Sequence, residues 1–497
     1  MRRRLIIGAI GAGVAGTATG AQWTVTPSLG LQETVTDNVN YAETNQRADA
    51  ITQLTPGVTV LGQGARTDVQ LSYQPVLVAY AATPGSDQLN QNLIGSGKME
   101  IFTDRLTVAT QVFANENYGS GSYYNPQATN LVPNSNRVLD YGGSISPHYT
   151  ERFGSIATLD VTYSVSTSNS SQQSGGPAGG SGNPYSNNQL QQDARAVVGS
   201  GDSFGRLSAS LNFDHTDGSG SGVNTGYQND TDSLNLQYHI DNEWSVLGSA
   251  GYQRIHYDPS AQSLGYNNSG LTWDAGFRLA PNDTTALQVT YGKQQGSYNI
   301  NATLNYTLLE RTLINASYLV QVENQLQSAF TNLPFLTHDQ FGRPIDSRTG
   351  LPYNPANQPF GQQNTLFRDK SAQVNITRQM IRSTISLSVY DDTREPIDGT
   401  ASTDESWGMS VTYHRDLTQT LGANLDLGYN THLYGASVLT GTGGGTDHYL
   451  NADFSMSFAI NQYLNANMIY SHYRRFSTQS DNSSTVDQLT LGLTASF

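Results

Sequence analysis

Residues 488–497 read QLTLGLTASF, and their reading decides the fold. Leu489, Leu491, Leu493, Ala495 and Phe497 share one face, while Gln488, Thr490, Gly492, Thr494 and Ser496 share the other. A period of two is the pattern of a strand with one apolar face. Chain ends in water usually fray, so a large aromatic in last place predicts an apolar medium around it.

The same alternation recurs upstream. Apolar rows run through Leu450, Ala452, Phe454, Met456, Phe458 and Ile460, through Leu421 to Tyr429, through Trp407 to Tyr413, and through Tyr298 to Leu308. An early row is Val69, Leu71, Tyr73, Pro75 and Leu77. The alternate positions carry Asn, Gln, Ser, Thr, Asp and Gly. Each segment spans roughly 9–13 residues, the length that a tilted strand needs to cross a bilayer.

The connections alternate as well. Short ones include FTDRL (102–106), IDNEW (240–244) and INQY (460–463). Long ones, rich in Gly, Ser and Asn, fall at 118–136, 167–187, 214–230, 257–267, 392–404 and 431–447. The longest, about 323–366, is long enough to fold inward as a constriction. Short turns on one side and long loops on the other describe an outer-membrane barrel with its turns in the periplasm. Strands are expected to start near 22, 51, 67, 89, 106, 137, 155, 188, 206, 231, 244, 269, 285, 298, 313, 369, 383, 405, 419, 448, 463 and 486. The expected fold is therefore all-β: a transmembrane antiparallel up-and-down β-barrel of about 22 strands, within 20–24. Hydrocarbon tolerates no unpaired backbone, so the first strand must pair with the last. Tyr149, Tyr163, Tyr238, Tyr252, Tyr291, Tyr318, Tyr390, Tyr429, Tyr449 and Tyr473 lie near strand ends and are expected at headgroup level.

Composition agrees. Only 36% of residues are hydrophobic and 13% charged, which one apolar and one uncharged polar face per strand explains. The net charge of −15 and just three lysines (Lys98, Lys293, Lys370) argue against a nucleic-acid partner. Cysteine is absent, which excludes disulfide scaffolds and thiolate metal sites. Residues 1–21, opening MRRRLIIGAIGAG, read as a cleaved secretory signal peptide, leaving 22–497 as a single barrel domain in the bacterial outer membrane. The GxGxxG letters at Gly11–Gly16 follow no strand and do not point to a dinucleotide site.

The first mature segment reads AQWTVTPSLGLQETVTDNVNY and continues to ADAITQLTPGVTVLGQGARTDVQLSYQP. Trp23, Pro27, Ser28, Glu33, Thr34, Thr36, Asp37 and Asn38, followed by Thr55, Pro56, Gly57 and Tyr73, resemble a β-barrel porin-type family associated with PEP-CTERM/exosortase systems and exopolysaccharide loci of Gram-negative bacteria. The resemblance covers roughly the first 80 mature residues. It implies an outer-membrane barrel linked to export of polysaccharide or protein, and assigns no role to any residue. The alternating tail with its final Phe497 also resembles the signal read by the barrel-assembly machinery.

Candidate chemistry is sparse. TDNVN (36–40) reads as an Asx-rich turn, with a carboxylate and amide calcium site as the alternative. DHTDG (214–218) and QNDTD (228–232) share one expected loop and lack EF-hand spacing. His148, His239, His414 and His448 lie in or beside strands, and HExxH does not occur, so no catalytic, metal or cofactor site is assigned and no enzyme is expected. The functional surface is expected to be the lumen: Gln70, Ser72 and Gln74; Gln191, Asp193 and Arg195; Asn235, Gln237 and His239; Asn424 and Asp426; Asn451, Asp453 and Ser455. These make a wet, weakly cation-preferring wall. The expected function is a porin-like channel serving export of an exopolysaccharide or a surface protein. A general diffusion or uptake porin, and a structural or adhesive protein acting through its loops, are the alternatives. The first strand follows the leader directly, leaving no room for a separate plug, which places a TonB-coupled transporter behind a channel. Expected partners are outer-membrane lipid, the assembly machinery, a periplasmic export partner and polysaccharide.

Overall fold

The computed structural model describes residues 21–118, 137–172, 187–221, 226–258, 265–309, 311–323, 336–338, 344–346, 367–397, 403–434, 444–479 and 483–497. The expected leader at 1–21 lies outside them except for Ala21. The described chain is a closed antiparallel β-barrel of 22 strands. Sequential strands pair with each other, and the ring closes where Gln22–Thr36 pairs with Ser484–Ser496, from Ser28 opposite Ser496 to Thr36 opposite Gln488. Inside the closure Thr34 and Thr490 share a hydroxyl–hydroxyl bond of 2.8 Å. The backbone N–H of Phe497 donates to the carbonyl of Pro27 at 2.9 Å. The backbone of Ser28–Thr36 is thus paired across the joint, as hydrocarbon requires.

The alternation fixes which face meets lipid. Leu489, Leu491, Leu493 and Phe497 are exposed on the outer wall, as are Leu450, Phe454 and Phe458 on the strand Gly445–Ala459. Inner-face neighbours such as Ser455 are buried among their own ring of side chains. Trp23 lies flat on the outer wall over Gly62, whose missing side chain makes the space: a Cβ there would sit 2.6 Å from the indole.

Periplasmic turns are closed by side chains that mimic backbone acceptors. The Asp241 carboxylate accepts from the N–H groups of Trp244 (2.7 Å) and Glu243 (2.8 Å), and these bonds hold its pKa below the usual carboxylate range. Asn461 accepts from Tyr463 and Leu464 in the same way.

Strand starts agree with the alternation to within a few residues, but three features differ. The segments 67–80 and 88–102 are each interrupted, at Gln74–Pro75 and at Gln91, because Pro75 has no N–H to give the ladder. Register is the same on both sides of the gap. The expected loop at 214–230 is mostly strand, since Leu207–Ser221 and Tyr227–His239 stay paired up to Gly218–Tyr227. DHTDG and QNDTD therefore lie on paired strands. Finally, Tyr390, Tyr449 and Tyr473 face the lumen rather than the headgroups: Tyr449 is 1% exposed and Tyr473 5%. Their position opposite the outward rows puts them there.

Candidate functional site

The inner wall begins as a ring of amides and hydroxyls. The expected lumen residues keep their inward phase, and several form ladders across strands. Gln191 donates to Asp193, which also accepts from Thr216. Asn424 donates to Ser455 at 3.3 Å, and its carbonyl oxygen lies 2.6 Å from Nδ1 of His414. Gln74 donates to Ser72. His239 sits 3.0 Å from the Ser245 hydroxyl. Glycines flatten the wall so that long amides lie across it: a Cβ on Gly428 would meet Asn451 at 2.2 Å.

Charge on this wall is uneven. Lys98 lies opposite Asp68, Arg195 pairs with Asp214 at 3.3 Å, Arg394 lies 3.8 Å from Asp369, and Arg475 pairs with Asp447 at 2.5 Å. Further inward acids include Asp140, Asp160, Asp193, Asp274, Asp426 and Asp453. The surplus is negative, so the lumen favours cations and neutral solutes.

The extracellular mouth is narrowed by three groups of described residues. The first is the segment Asp37–Ala48, which folds over the inner face. Val39 packs with Ile51, Val78 and Tyr80, and Tyr41 meets Tyr473 edge-on at 5.7 Å. Asn38 is fully buried, its Nδ2 donating to the carbonyls of Ala42 and Thr485 and its Oδ1 accepting from Ala42 N–H. Asp37 accepts from the N–H of Asp487. TDNVN is thus a turn that pins the first strand to the last. Among the described residues no group of three or more His, Asp or Glu could hold a metal ion.

The second group is a charged and aromatic network on adjoining strands. Arg394 stands 4.0 Å over the ring of Phe367, and Tyr449 donates to Asp447 beside Arg475. Phe367, Arg394, His432 and Tyr449 are at most 2% exposed, although each lies on the inner wall of a wide barrel.

The third group is a seam. Strand Ser297–Leu308 pairs with Thr312–Glu323 only from Ala302–Tyr318 downward. Above that point the upper strand leans inward. Val320 and Val322 share the outward phase of Ala316 and Tyr318, yet Val322 packs against Tyr227, Ile255 and Tyr257, which face inward from their own strands. The wall overlaps itself here like a scroll. Amide side chains replace the missing ladder: Asn301 accepts from Val320 N–H (2.9 Å), Gln295 from Val322 N–H (2.7 Å), and Gln253 from Gln295 N–H (3.0 Å). Gln295 and Gly296 form a two-residue turn, both with positive φ, the hairpin type that matches strand twist. Gly296 also lets the tip approach the neighbouring strand, since a Cβ would meet Asn268 at 2.2 Å.

The expected constriction at 323–366 lies almost entirely outside the described residues; within it Leu336–His338 pairs with Pro344–Asp346. The seam carries no local sequence signal, because Val322 lies some 65 to 95 residues along the chain from its apolar partners. Of the residues carrying the family resemblance, Pro56 pairs with Leu29 and Gly57 with Ser28, and Tyr73 donates to Gln91 at 2.8 Å. They build the first hairpins and do not converge on one site.

No protein-family model and no curated protein sequence matches the chain. Among solved structures, the chain is similar to the siderophore receptor PirA from Acinetobacter baumannii, with 8% identity, a TM-score of 0.52, and 95% of this chain covering 80% of that one. It is similar to the FrpB iron transporter from Neisseria meningitidis (11%, TM-score 0.53, 97% and 82%). It is also similar to the ferric-catecholate import receptor Fiu from E. coli K12 (11%, TM-score 0.52, 97% and 82%). At such identities the likeness is one of fold: the chain is built as an outer-membrane β-barrel.

Proposed function

We propose that this protein is an outer-membrane channel for hydrophilic solutes, and that its physiological cargo is an exported exopolysaccharide or surface protein. The observation that carries the channel is the inner wall: amides, hydroxyls and surplus acids line it, while the opposite phase is apolar. Such a wall wets a bore and offers exchangeable hydrogen bonds without a tight hold. The mouth groups act as its constriction. The resemblance of the first mature segment to exosortase-associated barrels favours the outward direction.

The solved relatives are named for siderophore and iron transport, which makes uptake of a ferric chelate the competing reading. Catecholate chelates are anionic. Here Lys98, Arg195, Arg394 and Arg475 each lie opposite or beside an acid, which weakens the attraction for an anionic cargo.

The test is single-channel recording on the refolded barrel in planar bilayers. Discrete current steps in potassium chloride support the channel. No current, from the wild-type barrel or from a variant with a loosened mouth, would leave an adhesive or structural role. Deletion in the source strain separates the directions: polysaccharide retained in the periplasm supports export, and loss of growth on a scarce solute supports uptake.

A further inference from the structure

We infer that one sector of the inner wall is a binding strip for an uncharged glycan chain, an inference that rests on the channel reading. The sector spans Ser297–Leu308, Thr312–Glu323, Phe367–Gln379 and the lower half of Ser383–Pro396. From the periplasmic rim up to Gln321, Ser371 and Tyr390, no inward position on these four strands is charged. Elsewhere at similar depth the wall carries acids such as Asp160, Asp274 and Asp426.

Within the sector, Asn305, Asn315, Asn375 and Ser388 are in register on successive strands, forming one rung across the wall. Neighbouring strands are about 4.8 Å apart, a spacing comparable with the length of a pyranose ring. Flanking the rung, Leu313 and Leu319 point inward and remain 43% and 40% exposed. Exposed leucines in a polar lumen are unusual; they offer flat apolar patches to the C–H face of a sugar while the amides meet its hydroxyls. An ion or a small polar solute uses no such patches.

A second observation points to a ligand. Asn375 Oδ1, Ser388 Oγ and Asn299 Nδ2, all in this sector, are buried with no hydrogen-bond partner among the described residues. Ser388 is only 4% exposed. Such groups gain when a small side-chain rotation presents them to a hydroxyl. The strip contains no base, and acids line other parts of the bore, so a uronate-bearing chain is disfavoured.

Two readouts on the detergent-refolded mature barrel test this. Heat-modifiable migration on gels first confirms that each variant folds. In titration calorimetry, maltohexaose binds the wild type and hexagalacturonate does not. In bilayers, maltohexaose interrupts the ion current. Asn315→Ala/Asn375→Ala weakens both effects about tenfold; Leu313→Asn/Leu319→Asn weakens them too. Ion current without binding or block by the neutral hexasaccharide overturns the strip while leaving the channel intact. Equal affinity for the anionic sugar, or block that is indifferent to both double variants, also overturns it. Calorimetric binding without any current supports the strip and removes the channel.

Discussion

Replacing Tyr257 with alanine tests how the seam closes the mouth. Tyr257 is 4% exposed and meets Tyr227 edge-on, with ring centroids 6.2 Å apart. Ile255, at 1% exposure, and Val322 complete the contact. Truncating a buried aromatic costs about 3–5 kcal/mol, within which the ring pair accounts for about 0.5–1.5. The amide bonds of Asn301, Gln295 and Gln253 survive the substitution, and each is worth only about 1 kcal/mol against water. The apolar contact is therefore the larger part of what holds the inward strand end down. It also lies at one end of the wall, remote from the ladder that closes the barrel. The loss falls mainly on the difference between closed and open mouths, so about 3 kcal/mol there raises the open-to-closed ratio by about a hundredfold. Single-channel recording reads this as longer or more frequent high-conductance states, with the unfolding midpoint in denaturant shifted far less than a core truncation would shift it. Unchanged open dwell times and conductance in a folded Tyr257→Ala barrel would refute the seam as the constriction.

Other consequences can be measured on the same preparation. Leu491→Arg places a cation in lipid and costs about 2–4 kcal/mol of folding stability in vesicles if Leu491 lies near the midplane, whereas Thr490→Arg, one residue away on the inner face, costs far less. Arg475→Ala removes the cation beside the buried carboxylate of Asp447, which keeps the Tyr449 hydroxyl, and lowers stability by about 3–5 kcal/mol, read from the denaturation midpoint. The surplus of inward acids gives a reversal potential of cationic sign in a potassium chloride gradient, and Asp453→Asn shifts it toward zero.

Much of this architecture is legible in the residues. Period-two rows such as Leu450 to Ile460 mark the lipid face because hydrocarbon admits almost nothing else, and the closing pair of strands follows from backbone pairing alone. The same row already places Tyr449 on the inner face; reading tyrosine as a headgroup anchor hides that, because position near a strand end looks alike on both faces. Above the bilayer the outer face becomes polar, the alternation fades, and DHTDGSGS looks like a loop although its neighbour keeps it in a strand. The lumen lining is legible in type, through Gln191, Asn235 and Asn451, but its grouping is not. Whether Asn305, Asn315, Asn375 and Ser388 align depends on register across four strands, and the seam joins residues from strands as far apart as Tyr227–His239 and Thr312–Glu323.

The central claim is that alternate side chains face lipid and a water-filled bore all round a closed wall. The chain has no cysteine, so single cysteines can be placed in turn at positions 488 to 494 and labelled in vesicles. Fluorophores at 489, 491 and 493 should be quenched by brominated lipid, and thiols at 488, 490, 492 and 494 should react with a small water-soluble reagent. A smooth profile without alternation, or quenching by lipid on the even positions, would contradict the account.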